Sequence, residues 1–344
     1  MIFKNRILPI ICFAVFGSTL YGQDLHFTQF NLAPLTFNPA LSGAFYGTVR
    51  IGGVYRDQWG SSYSTPAFYV DSPILRGFRK LDWIGVGLSV TSDKGTAEYV
   101  PFQSGGGSQG HTGTLSTGGA LGSIAYHFSL DDKRNTVIAL GIQGGTLARK
   151  VRDEFEFEDQ LLNGGVSMDM LPTDMNDSKS ILDVSAGLTL TSKTVGESYL
   201  RVGVSTMHIN RPRTSILGSG GGKLPMRIVG YGTYHWDVNE KFLVLPSVLY
   251  QTMGPASELS MQGMAGYKMP KENLILKGGL GYRVGDALAI LVGADYKDVR
   301  VGLSYDINAS ELSSPNSSFE IGVAYIAKIY KRPKVDPVIF CPRF

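Results

Sequence analysis

The segment VRVGLSYDI (299–307) places Val299, Val301, Leu303 and Tyr305 on one side of an extended chain and Arg300, Gly302, Ser304 and Asp306 on the other. Successive side chains of a strand point to opposite faces, so this period of two specifies a strand whose faces meet different surroundings. The pattern recurs. ALAILVGADYK (287–297) aligns Leu288, Ile290, Val292, Ala294 and Tyr296. SFEIGVAYIAKIY (318–330) aligns Phe319, Ile321, Val323, Tyr325, Ala327 and Ile329 against Glu320, Gly322, Ala324 and Lys328. Fourteen such segments follow one another, near 47–57, 65–75, 82–92, 113–129, 135–150, 180–191, 197–208, 224–237, 241–252, 257–268, 272–283, 287–297, 298–307 and 318–331.

The connections alternate too. SLDDKRN, SKTVGE, DVNEK, MPKEN and KD, which follow the even-numbered segments from the fourth to the twelfth, are short and polar. Those after the third, fifth and seventh are long: DKGTAEYVPFQSGGGSQGH, most of 151–179, and NRPRTSILGSGGGK. Short turns at one end and long loops at the other characterise an outer-membrane barrel, with its short turns in the periplasm. The later long-side connections, TMGPAS and RVGDA, are shorter. An even number of strands brings the chain back to its starting side, which predicts both termini in the periplasm.

A soluble sandwich would carry polar residues outside and apolar ones between its sheets. Here the non-apolar face holds glycine and charge, as in Lys277, Gly279, Gly281 and Arg283 of LILKGGLGYR, which suits a wet or tightly filled lumen. Aromatics gather near strand ends (Tyr126, Phe128, Tyr231, Tyr234, Trp236, Tyr250, Tyr267, Tyr282 and Tyr296), where interfacial girdles are expected. The 43 glycines, 17 tyrosines and 17 phenylalanines, without helix signals, agree with a chain built from strands. The reading is all-β: a transmembrane antiparallel barrel of about 14 strands over 47–331.

The front of the chain differs. Residues 1–22 carry Lys4 and Arg6, a short apolar core and then small or polar residues, the outline of a secretory signal peptide ending at Gly22. Leu20 is larger than the usual residue at its place before the cut. Cys12 leaves with that peptide, so Cys341 is the remaining thiol and no internal disulfide framework is expected. No apolar run beyond the signal is long enough for a membrane helix. The net charge of +3 without a basic stripe excludes a nucleic-acid surface. Residues 23–46 are apolar and aromatic, yet Pro34 and Pro39 bar a regular helix or central strand through FNPALSGAF (37–45). Irregular apolar backbone is tolerated at membrane depth where protein surrounds it, which predicts a lumen plug, with Asn38 satisfying turn groups beside Pro39.

No catalytic constellation is present, and neither enzyme activity nor a cofactor is expected. His26, His111, His127, His208 and His235 lack metal-ligand spacing and read as strand-end or loop residues. GSGGGKLP (218–225) departs from a phosphate-binding loop, with Leu224 where Ser or Thr would hold magnesium. GVGLSV (85–90) is a strand whose glycines allow close approach of side chains or a plug. The acidic stretch Asp153, Glu154, Phe155, Glu156, Phe157, Glu158 and Asp159 reads either as a solvated extracellular loop or as a cargo-facing surface, docked directly or bridged by calcium. The tail 332–344, following Lys331, carries Arg332, Lys334, Cys341, Arg343 and Phe344 and reads as an untidy end, a brace on the plug side or a periplasmic docking peptide.

Five motifs then coincide: FTQF (27–30), NPALSG (38–43), YRDQWG (55–60), GVGLSVTSDKGT (85–96) and the terminal CPRF. With Phe27, Thr28, Gln29, Asn38, Pro39, Ala40, Gly43, Tyr55, Arg56, Gln58 and Trp59 as signature positions, the chain resembles the PorP/SprF family of the type IX secretion system. That resemblance implies a fourteen-stranded outer-membrane barrel akin to the fatty-acid transporters, in a Gram-negative bacterium, and work in adhesin export or gliding motility. It implies as partners a secreted cargo protein, through the C-terminal domain of an adhesin, and the periplasmic secretion or gliding machinery, besides membrane lipids. It supplies no catalytic residues. The alternative is a channel for hydrophobic or small solutes, since NPA also occurs in the plug of the fatty-acid transporters.

Overall fold

The computed structural model describes residues 25–60, 62–77, 79, 81–99, 111–152, 179–214, 223–308 and 317–329. The first seven strands are β1 (Val49–Gln58), β2 (Tyr63–Ile74), β3 (Trp83–Tyr99), β4 (His111–Ser129), β5 (Thr136–Arg152), β6 (Lys179–Lys193) and β7 (Tyr199–Met207). The second seven are β8 (Arg227–Asp237), β9 (Phe242–Met253), β10 (Ala256–Met269), β11 (Leu274–Arg283), β12 (Ala287–Tyr296), β13 (Val299–Asn308) and β14 (Ser318–Ala327). Each pairs with its chain neighbours, and β1 pairs antiparallel with β14, so the sheet closes into a barrel of fourteen strands. Every alternating segment of the sequence is one of these strands.

The faces settle which solvent is where. On β14 Phe319, Ile321, Val323 and Tyr325 are 42–48% exposed, while the intervening Glu320 and Ala324 are 1% and 2% exposed. The apolar side is therefore the outside, as a lipid-facing band requires, and charge is buried within. β3 continues to Tyr99, beyond the expected residue 92, and its ladder with β4 runs on through Asp93↔Thr117 to Tyr99↔His111. Alternation marks a strand only where its faces meet different surroundings; SDKGTAEY lacks it although the ladder persists.

The short turns are fixed by side-chain caps. Asp131 accepts hydrogen bonds from the backbone of Lys133 (2.8 Å), Asn135 (2.9 Å) and Thr136 (2.7 Å), shaping the link from β4 to β5. Burial opposes its ionisation, but these amides prevail and hold the carboxyl below its ordinary range.

One expectation is corrected. Tyr231 is not in a girdle: it is 6% exposed and points into the lumen, where its hydroxyl meets Thr189 Oγ1 at 2.9 Å. A phenol with an internal hydrogen-bond partner is as well placed inside as at an interface. His127 and His235 lie two residues from the ends of β4 and β8, and His208 follows the end of β7, so these three are strand-end residues as expected; all three are buried. His127 stacks on Trp83 at 4.6 Å, His235 on Tyr199 at 5.1 Å, and His208 Nδ1 meets Asp183 at 2.8 Å.

Candidate functional site: the filled lumen

Residues 25–45 lie inside the barrel. Three single-turn 3-10 elements, Phe30–Leu32, Pro34–Thr36 and Pro39–Leu41, punctuate the segment. Pro34 and Pro39 occupy the first positions of two of them, where a missing N–H costs nothing. Asn38 caps the third, its Oδ1 accepting from Ala40 N at 2.9 Å. Its Nδ2 donates to Leu188 O (3.2 Å), Thr189 Oγ1 (3.3 Å) and Val204 O (3.4 Å) on β6 and β7. One fully buried amide thus closes a turn and fastens it to the wall.

Towards the end that carries the long connections, Thr28 sits among four buried ions. Its hydroxyl donates to Asp306 Oδ2 at 2.9 Å and accepts from Arg56 Nη1 at 3.0 Å and Arg283 Nη2 at 2.9 Å. The backbone N–H groups of Thr28 (2.6 Å) and Gln29 (2.8 Å) each donate to one oxygen of Glu320. Arg56 pairs with Glu320 and, at 3.1 Å, with Asp306; Arg283 meets Asp306 at 2.9 Å. Gln262 Nε2 donates to the Thr28 carbonyl. Burying such charges costs several kcal/mol each, roughly, unless every polar group finds a partner. Beside them His26 Nδ1 lies 3.9 Å from Glu258. Burial, then the charges of Arg56 and Arg283, hold its imidazole well below the ordinary 6.5.

The middle of the lumen is apolar. Phe30, Leu35, Phe37 and Leu41 pack with Tyr69, Val229, Tyr231 and Leu249 of the wall. Phe37 meets Phe30 edge-on at 5.8 Å and Tyr231 at 5.0 Å. At the short-turn end the backbone is clasped again. Ser42 Oγ meets Ser123 Oγ at 2.7 Å, and the Ser42 carbonyl accepts from His127 Nε2 at 2.7 Å. Gly43 N donates to Asp71 at 2.7 Å, and its carbonyl accepts from Trp83 Nε1 at 3.2 Å. Arg50 holds Asp71 through two bonds of 2.9 and 2.8 Å and reaches the Leu41 carbonyl at 3.2 Å.

Glycines on the wall make room for all this. A Cβ at Gly85 would strike the Ser42 carbonyl, one at Gly141 the Ala40 backbone, one at Gly187 the Asn38 amide, and one at Gly302 the Gln29 side chain. These wall positions are the footprint of the inserted segment.

The signature residues therefore divide. Phe27, Thr28, Gln29, Asn38, Pro39 and Ala40 are buried in the inserted segment, with Gly43 at its end in a left-handed conformation (φ 69°). Arg56 meets Thr28 from the wall, and Gln58 Oε1 accepts from Arg56 Nε at 3.3 Å. Tyr55 points outward beside Phe319 at 6.1 Å, and Trp59 (φ 56°) turns the chain beyond β1, edge-on to Tyr63. Asp153–Asp159 and residues 331–344, including Lys331, Arg332, Lys334, Cys341, Arg343 and Phe344, lie outside the described residues. The reading of single motifs missed Asp71, Gln262, Arg283, Asp306 and Glu320 as anchors. Their signal was ionisable or amide groups on the small-residue face of alternating strands.

Fold and lumen together define the class: an outer-membrane type of β-barrel filled from within by its own N-terminal segment. The chain belongs to the PorP/SprF family of type IX secretion system membrane proteins, whose family model matches residues 19–325. Among curated proteins there is no match. Among solved structures it is similar to the toluene transporter TodX of P. putida, with a TM-score of 0.50, 13% identity, and 86% of this chain and 93% of that one covered. A mutant of the TodX monoaromatic hydrocarbon channel gives 0.52 at 14% identity, covering 85% and 93%. The toluene transporter TbuX of Ralstonia pickettii gives 0.50 at 12%, covering 85% and 92%. At such identities the likeness is one of fold. Family and barrel together point to a non-enzymatic membrane protein.

Proposed function

We propose that this barrel serves protein secretion as a filled scaffold: it binds a secreted adhesin through its long loops, helps its export, and anchors its C-terminal domain at the cell surface. The observation that carries the reading is the lumen, where a covalently attached segment makes an apolar core and a buried ion cluster. That arrangement blocks free diffusion through the lumen and stiffens the wall, as a docking platform requires. In the membrane the short turns face the periplasm and the long connections the exterior. Asp153–Asp159 then form the cargo-facing surface. The tail with Lys331, Arg332, Lys334 and Arg343 reaches the periplasmic secretion or gliding machinery.

Affinity purification of the tagged chain from detergent-solubilised outer membranes tests this. A large secreted adhesin should co-purify, and neutralising the acids of 153–159 should release it. The reading fails if no secreted protein co-purifies and a deletion strain loses uptake of a hydrophobic solute while displaying its adhesins. That second outcome is the channel reading, which rests on the fold shared with TodX and TbuX.

A further inference from the structure

The β1–β14 ladder joins the two ends of the sheet, whereas every other ladder joins strands adjacent in the chain. It is complete, from Val49↔Ala327 to Gln58↔Ser318, and it sets Arg56 directly opposite Glu320. Glu320 accepts from three donors, Arg56, Thr28 N and Gln29 N, so two of the three come from the inserted segment. The Thr28 hydroxyl links Arg56 of β1, Arg283 of β11 and Asp306 of β13. The apolar lining of the seam is shared in the same way: Phe27 and Ala33 pack with Val54 and Ala67, and Leu32 fills the space over Gly302 and Gly322.

We propose that the Thr28–Gln29 stretch is the closure key of the barrel: it is seated when the first and last strands pair, and the seam stays shut only while it remains there. The arrangement explains why a buried carboxylate faces the seam at all. With Thr28 and Gln29 unseated and the rest of the segment still filling the lumen, Glu320 would keep one guanidinium, itself shared with Asp306, and two buried donors' worth of hydrogen bonding would be lost. An unpaired charge in a dry lumen favours the open pair of strands, whose polar groups reach water. The inserted segment is thus part of how the barrel closes rather than a gate that swings free. This inference stands apart from the cargo reading and survives its failure.

Hydrogen exchange on the full chain in detergent micelles tests it. Thr28→Val keeps the shape and removes the hydroxyl from the centre of the ion cluster. Exchange in 49–58 and 318–327 should rise about tenfold or more, while the β4–β5 ladder keeps its protection. A seam as protected as in the parent, or a uniform rise in all strands, overturns the proposal. Should Thr28→Val not assemble, Thr28→Ser decides: with its hydroxyl kept it should assemble with a protected seam, and an open seam refutes the idea. The exchanged pair R56E/E320R supplies a further check. It keeps an ion pair across the seam but presents two backbone N–H groups to a guanidinium and sets a carboxylate at 56 against Asp306. It should therefore fail to restore protection, and full restoration would mean that the strand-to-strand pair suffices alone.

Discussion

Asn38 offers a sharp test of how the lumen is held. Its side chain is fully buried, accepts from Ala40 N at 2.9 Å, and donates toward Leu188 O, Thr189 Oγ1 and Val204 O at 3.2–3.4 Å. Asn38→Ala strands the Ala40 N–H in a dry site, a cost of about 1–3 kcal/mol, to which the vacated side-chain volume adds about 1 kcal/mol. Asn38→Asp is nearly isosteric and keeps the acceptor for Ala40 N. It nevertheless turns an oxygen, and a charge, toward two carbonyls. Thr189 gives limited relief because its hydroxyl is engaged with Tyr231 at 2.9 Å. Burying that charge without a cation costs several kcal/mol, roughly, whether it stays ionised or is forced to take a proton. Aspartate is therefore the worse substitution, by about 1–3 kcal/mol. The assay is urea unfolding in detergent, followed by the shift from the compact to the extended form on unheated gels. A variant order in which Asn38→Asp matches the parent, or is milder than Asn38→Ala, refutes the assignment of this amide as a donor to the wall.

Three further outcomes are expected. Gly85→Ala drives a methyl into the Ser42 carbonyl and should expose 37–45 to protease, whereas Gly230→Ala, with nothing within 4 Å of the new Cβ, should behave as the parent. His26 is held neutral by burial and by Arg56 and Arg283, so its folded pKa lies below the unfolded value. The unfolded chain takes up the proton first, and this contribution to stability is full above about pH 6.5 and lost as pH falls below it. His26→Gln should flatten that part of the stability–pH curve, and an unchanged slope counts against the buried placement. In planar bilayers the parent should conduct poorly, and removal of 25–45 should give large but unsteady currents, since it empties the lumen and takes Thr28 and Gln29 from the seam; a freely conducting parent contradicts a filled lumen.

The strands were legible because lipid and lumen impose opposite demands on adjacent residues. Where that contrast fades, as in SDKGTAEY, the ladder of β3 and β4 outran the pattern. The irregularity of 25–45 was legible from Pro34 and Pro39, and its burial followed from apolar side chains that had no strand to belong to. The partners were not legible. Glu320 and Asp306 lie nearly 300 residues from Thr28 in one case and 278 in the other, and only closure of the barrel brings them together. Tyr231 was misplaced for a related reason: an aromatic near a strand end has the same spacing whether it faces lipid or the lumen. Which face it takes depends on the parity of neighbours such as Val229, buried, and Ile228, exposed.

The first strand explains why the inserted segment must be irregular. Arg50 and Arg56 are six residues apart on one face of β1, about 20 Å along a strand. Arg56 holds Thr28, while Arg50 holds the Leu41 carbonyl and the Asp71 that binds Gly43. From Thr28 to Gly43 the chain would span about 50 Å if extended, more than twice the distance between its anchors. The excess has to be folded up, and a regular helix is barred by the prolines. Three 3-10 turns, each rising about 2 Å per residue, shorten the path while turning Phe30, Leu35 and Phe37 toward the wall. The prolines should therefore matter through chain stiffness more than through contact. Replacing Pro34 and Pro39 together by alanine leaves both arginine anchors in place but frees the backbone between them. Hydrogen exchange at the amides of 35–42 should rise while the β1 amides beside Arg50 and Arg56 keep their rates. If instead the anchors loosen first, the segment is held by its middle, and the two arginines are followers rather than holders.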